Sequence, residues 1–192
     1  DLRLEARHAP LGPVQGVIGV QAEASRFSAI GEEAFAGRSR SRSTALFLHE
    51  ELGTDWGKLT FGARTERVSV ESFGSPDVER FEIGKRDFHP HSAALGALVN
   101  LTPAWQLTSN LSYTQRAPKD YELFANGPHI ATAAWETGDS RLGLEKSTSV
   151  DVGAAWKSGP HRFAVTAFHS SFANYIGLTP TGALLSEEGR DP

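Results

Sequence analysis

Four short turns punctuate this chain, near residues 12, 56, 103 and 159, and the longer polar connectors fall at the opposite ends of the segments between them. The turns read P-L-G-P, D-W-G, T-P-A and S-G-P, all built from residues that favour tight reversal. Their spacing of roughly 45 to 55 residues is too wide for a soluble β-sandwich, which signals a turn every 8 to 12 residues. Between them, apolar and polar residues alternate with a period of two. Trp105, Leu107, Leu111 and Tyr113 oppose Gln106, Thr108, Asn110, Ser112 and Thr114. Ile18, Val20, Ala22 and Ala24 oppose Gln21, Glu23 and Ser25, and Leu59, Phe61 and Ala63 oppose Thr60, Gly62 and Arg64. Period two is the signature of a strand with one apolar face.

Eight strands follow, over residues 2–9, 14–28, 44–52, 58–70, 88–101, 105–116, 146–157 and 161–175. The expected connectors are 29–43, which holds the basic run R-S-R-S-R, then about 72–87, and 117–144 with one helical turn near Tyr121 to Ala125. The basic run reads as a solvated loop, the alternative being a patch for lipopolysaccharide phosphates or another anionic ligand. Trp56, Trp105 and Trp156 each stand beside a short turn, at one common end of the hairpins. Aromatics at a shared level, short turns on one side and long loops on the other predict an all-β fold. It is an antiparallel transmembrane β-barrel segment of about eight meandering strands, with short periplasmic turns and long extracellular loops.

Composition agrees with this reading and removes several others. A net charge of −4 and a pI near 6.0 give no basic surface for nucleic acid. No apolar run reaches the about 20 residues of a membrane-spanning helix, as a barrel of alternating strands also predicts. With no cysteine, neither a disulfide framework nor a thiolate metal site is available.

The segment from Ser112 to Trp156 resembles the barrel of TonB-dependent outer-membrane receptors. In that family a strand ends in R-x-P, a loop carries E-L-[FY], and G-D-x-x-L-x-x-E leads into a strand of S-x-x-x-D-x-G type. Here these are Arg116-Ala117-Pro118, Glu122-Leu123-Phe124, Gly138-Asp139 with Leu142 and Glu145, and then Ser147, Asp151 and Gly153. The insert F-A-N-G-P-H-I-A-T is most similar to the zinc-uptake receptors; L-T-F-G-A-R-T-E-R and F-H-S-S-F-A-N-Y-I are weaker echoes. The resemblance implies that residues 1–192 are a partial barrel domain, with the plug, the TonB box and the C-terminal strands absent. It implies location in the outer membrane of a Gram-negative bacterium, contact with outer-membrane lipid, and coupling to the TonB complex through an N-terminal region. The implied role is import of a scarce nutrient, most simply zinc or a metal complex, with haem or a ferric siderophore as alternatives.

Histidines supply the candidate ligands. His89 and His91 form H-P-H at a strand start on the long-loop side, two residues apart and therefore on one face. His129, Glu136 and Asp139 lie in the longest loop. Imidazole with carboxylate suits Zn²⁺, so His89, His91 and His129, assisted by Glu136 or Asp139, are the expected capture residues. Arg64, Glu66, Arg116 and Asp151 are expected to line the lumen, because a charge at the lipid midplane costs about 2–4 kcal/mol.

An enzyme is not expected. H-P-H resembles the H-x-H of cupins, but no acidic ligand follows nearby, and Ser170 directly after His169 points to the opposite strand face. The stronger rival is a complete eight-stranded barrel serving as an anchor or adhesin. If the sheet is instead open, its two unpaired edges and apolar face should make the isolated piece aggregate, dimerise or close into a smaller barrel.

Overall fold

In the computed structural model, which describes residues 1–29, 31, 33–130 and 133–183, the alternating segments form one antiparallel meander. Its strands are β1 (Leu2–Arg7), β2 (Val14–Phe27), β3 (Arg38–Thr54), β4 (Gly57–Gly74), β5 (Ile83–Phe88), β6 (His91–Asn100) and β7 (Trp105–Arg116). A short helix α1 (Asp120–Phe124) and a small hairpin, β8 (Asn126–His129) with β9 (Ala134–Thr137), interrupt the meander before β10 (Glu145–Ser158) and β11 (His161–Ala173). The sheet order is β1-β2-β3-β4-β6-β7-β10-β11, with β5 also on β4. The ladder keeps its register from Val68↔Phe88 to Thr65↔His91, so β5 and β6 are one strand broken at Pro90. Proline has no N–H to donate, but its carbonyl still accepts from the Glu66 amide at 3.0 Å. The expected eight-strand meander is therefore present, and the sheet is open: β1 and β11 are its two edges.

Register carries each face across the whole sheet. One row runs Ile18, Leu48, Ala63, Ala93, Tyr113. The next runs Phe61, Leu95, Leu111, Val150, and a third Leu52, Leu59, Ala97. These rows leave large apolar side chains exposed, Leu95 at 56% and Leu111 at 49% among them. The opposite face carries Arg64 beside Phe47 and Ser92, Glu66 beside Ala45, and Asp151 beside Asn110. An apolar face with no protein layer over it is the lipid face of a barrel wall, and the polar face is its lumen. Arg64, Glu66, Arg116 and Asp151 all fall on the lumenal side, as charge alone predicts. There Arg64 meets Glu66 at 2.9 Å and Asn110 donates to Asp151 at 3.2 Å.

At the short-turn end Trp105 and Trp156 are cross-strand partners, with ring centroids 6.5 Å apart, and Trp156 also faces Phe163. Trp56 sits in the two-residue turn between β3 and β4, 44% exposed. Gly57, which follows it, has φ of 152°, and a Cβ there would overlap the Leu98 carbonyl oxygen. Only glycine closes this hairpin against β6. In the first turn, His8 Nδ1 lies 2.8 Å from the Ala9 carbonyl and Nε2 lies 2.9 Å from Glu50. The backbone contact first, and the Glu50 carboxylate second, raise the His8 pKa above its ordinary value. The His8–Glu50 contact is then complete below about pH 6.5 and is lost as pH rises through the higher folded value. NMR titration should place His8 above the ordinary histidine value, and Glu50→Gln should lower it.

Two connectors differ from expectation. The basic run assigned to a loop over 29–43 lies in β3 from Arg38 onward. R-S-R-S-R itself has period two, which is a strand pattern: Ser41 and Ser43 face the lumen with Val70 and Val68, and Arg40 and Arg42 face outward. The connector expected over 72–87 shrinks to residues 75–82, because β4 continues to Gly74 and pairs with β5. Both strands thus rise further above the apolar band than hydrophobicity alone reveals.

Candidate functional site

The segment between β7 and β10 folds back onto the lumenal face at the long-loop end. Leu123 and Phe124 of α1 pack with Val70 and Phe88 of the wall, and Ala117, Leu142 and Leu144 close around them. This cluster, with Leu123 and Val70 each 1% exposed, holds the best-buried side chains of the wall. Ser39 of β3 donates to Asp120, fixing the start of α1.

Arg116 ties the segment down. Its Nη1 donates to Glu122 at 2.8 Å and its Nε to Glu145 at 3.2 Å. Glu122 in turn accepts from the Lys119 amide at 2.6 Å, and Glu145 accepts from the Ile176 amide at 2.8 Å. Gly138 donates its amide to the Ala125 carbonyl at 2.8 Å, and Asp139 to Glu122 at 2.9 Å. A Cβ at Gly138 would press on the α1 backbone at Leu123, 2.6 Å away. R-x-P, E-L-F and G-D-x-x-L-x-x-E therefore form one interlock, and their spacing records how a long loop is anchored to a strand pair. Beneath Pro118, a cleft of about 390 Å³ opens on the lumenal face, lined by Glu23, Ser25, Ser43, Glu66 and Arg116 among others.

Above the interlock, the described parts of three connectors, around Ala34, Arg80 and Asn126, join into a cap. Arg80 is its centre: Nε donates to the Asn126 carbonyl at 2.7 Å and Nη2 to the Ala34 carbonyl at 2.8 Å. Its guanidinium also lies over Phe81 at 4.9 Å and Trp135 at 5.2 Å. Asn126 returns a bond to the Arg80 carbonyl at 3.0 Å and accepts from the Trp135 indole at 3.0 Å. Ala34, Val78 and Phe81 form a small core under these contacts, and Ala36 bridges Ala125.

His129 and Glu136 meet in this cap. They meet diagonally across the β8–β9 hairpin, whose register pairs His129 with Ala134 and Glu136 with Gly127, and Nδ1 lies 2.6 Å from Oε1. Phe35 stacks on the imidazole, ring centroids 4.8 Å apart at 16°. Glu136 is 8% exposed and the His129 side chain 35%, so the pair presents its imidazole to solvent from a partly buried carboxylate.

The other candidate ligands lie elsewhere. His91 begins β6 on the outward face, with Nδ1 3.0 Å from the Thr65 hydroxyl, and register puts His89 on that same face. The two share a face as their spacing predicts, but it is the lipid side of the wall. Asp139 is held by Arg141, Nε at 3.0 Å and Nη2 at 3.1 Å, and these bonds keep its carboxyl below its ordinary pKa. Among the described residues, no group of three or more His, Asp or Glu is placed to hold a metal ion. Sequence reasoning missed Arg80, Phe35 and Trp135; their roles depend on contacts between distant loops, which leave no periodic trace.

Comparison with known proteins agrees with the geometry. A solved structure titled "Copper transporter OprC" superposes with a TM-score of 0.67 at 16% identity, over 88% of this chain and 28% of that one. At that identity the likeness is one of fold, and this chain spans little more than a quarter of that structure. The family model "TonB dependent receptor-like, beta-barrel" matches residues 6–188. A wall of alternating strands, an interlocked outer loop and a match over nearly its whole length show that this chain belongs to the TonB-dependent receptors, which are outer-membrane receptors of Gram-negative bacteria and not enzymes.

Proposed function

We propose that this chain supplies part of the wall and the outer vestibule of a receptor that imports a transition-metal ion or a metal complex, with zinc as the favoured ion. The observation that carries this reading is the His129–Glu136 pair, 2.6 Å apart within a cap built from three loops at the outer end. Imidazole and carboxylate are ligands for Zn²⁺ and Cu²⁺ alike; Cu⁺ favours thiolate and thioether, and the chain has neither Cys nor Met. Two protein ligands on a partly exposed hairpin suit capture followed by release better than permanent retention. Transport by a receptor of this kind would be driven through TonB.

The test is calorimetry of the full-length receptor in detergent with Zn²⁺ and Cu²⁺, beside His129→Ala, Glu136→Gln and the double variant His89→Ala/His91→Ala. Zn²⁺ binding should weaken roughly tenfold or more in each of the first two, the usual scale for losing a ligand or its orienting partner. The double variant should bind as the wild type does. Loss of binding in the His89/His91 variant alone would move the site to the outward rim. Binding of haem but of neither ion would replace the metal-ion reading by a haem reading, for which the Phe35–His129 stack offers a surface.

A further inference from the structure

The outward face changes character abruptly at the long-loop end. Its last apolar row is Leu4, Val20, Leu46, followed by Leu2, Ala22, Thr44. Arg67 shares that second row with Thr44. Beyond it Ala24 and Arg42 are paired, and then Arg26, Arg40, Glu71 and Lys85 stand side by side. Five cations thus face outward above the apolar band, against the carboxylates Glu71 and Asp87. Asp87 is occupied by Lys85 at 3.7 Å. Among the described residues, Arg26, Arg40, Arg42 and Arg67 make no ion pair. Arg40 lies over the Phe73 ring at 5.4 Å, and its Nε is buried without a hydrogen-bond partner.

The height of this patch identifies what it meets. From Thr54, near the tryptophan end, to Arg42 the rise is roughly 30 Å along the membrane normal, at ~3.3 Å per residue and a tilt near 40°. That is about one hydrocarbon thickness, so the arginines emerge at the headgroup level of the outer leaflet. Guanidiniums in excess of the neighbouring carboxylates, on a surface continuous with the lipid face, fit phosphate, which they bind through paired N–H donors. We infer that Arg26, Arg40, Arg42 and Arg67 form a binding site for the phosphate groups of an outer-leaflet glycolipid. The basic run is then a lipid clamp on the outside of the wall, separate from the cap that faces the lumen. His89 and His91, on the same face, flank it.

The test uses the full-length receptor in an uncharged detergent, with bisphosphorylated lipid A and with the same lipid after removal of its phosphates. Native mass spectrometry reads the bound lipid. Wild type should hold the phosphorylated form at least about tenfold more tightly. Each cation at an anionic lipid surface is worth roughly fivefold, so Arg40→Gln/Arg42→Gln/Arg67→Gln should lose roughly a hundredfold and bind both forms alike. Arg162→Gln, at the opposite rim, should change nothing. The single variant Arg67→Gln, with an expected fivefold loss, keeps the question open to test if the triple variant does not fold. Equal binding of the two lipid forms by wild type, or unchanged preference in both arginine variants, would overturn the site.

Discussion

Replacing Arg116 by Ala should release the segment 117–144 from the wall and expose it to trypsin at Lys119 and Arg141. Arg116 is the cation between Glu122 and Glu145, whose side chains are only 16% and 13% exposed. Removing it leaves two largely covered carboxylates without their partner. Breaking a buried pair costs about 3–5 kcal/mol, and a guanidinium one-third exposed is worth less, so roughly 1–3 kcal/mol is expected here. If cleavage follows the population of the opened loop, that range is roughly a 5- to 150-fold faster cut at the two sites. Arg116→Lys keeps the charge but not the fork that reaches both carboxylates, and should fall between. Glu145→Gln should act in the same direction, because it also weakens the bond to the Ile176 amide. The barrel strands themselves should stay intact by circular dichroism. Cleavage at Lys119 and Arg141 unchanged in Arg116→Ala would mean that the apolar cluster around Leu123 alone anchors the segment.

The same residues show what the sequence reveals and where it stops. Alternation in 105–116 set the strand's limits and faces correctly, and in 58–70 the faces, because every second residue meets one solvent; β4 nonetheless runs on to Gly74. Charge placed Arg64, Glu66, Arg116 and Asp151 in the lumen for the same reason. Alternation carries no signal where polarity stops differing between faces. In R-S-R-S-R both faces are polar, so no hydrophobic contrast marks a strand, and only the Arg–Ser repeat carries the period. His89 and His91 illustrate a second limit: spacing shows that two side chains share a face, but not which face. The decision comes from Thr65 and Leu46 across the sheet, whose pairing is a property of register. The cap lies further out of reach. Arg80 meets Ala34 and Asn126, each 46 residues away, and no local pattern encodes that meeting. His129 and Glu136 were each recognisable as possible ligands, whereas their meeting depends on the β8–β9 register, which sets them diagonally across the hairpin.

A second large effect is expected from the 192 residues expressed as they stand and refolded without detergent: they should form aggregates or edge-paired oligomers, and no stable monomer. A soluble domain buries its sheet against a second layer. Among the described residues the buried apolar clusters lie at the long-loop end, around Val70 and Phe88 and around Val78 and Phe81. The wall below them leaves Leu4, Leu46, Leu95, Leu111 and Val152 between 49% and 58% exposed. Each such side chain forgoes roughly 1 kcal/mol of transfer free energy in water, and there are enough of them to outweigh the few kcal/mol that hold a small domain together. The edges add to this. Every residue of β1 and β11 is exposed, so two rows of unpaired N–H and C=O groups stand ready to accept another strand. Detergent micelles should cover the apolar face but leave both edges unpaired, giving small, discrete β-rich species. Light scattering with and without detergent separates the two conditions. A detergent-free monomer with protected amides in β4 and β7 would mean that these strands bury their leucines in a protein core, and the assignment of that face to lipid would be wrong.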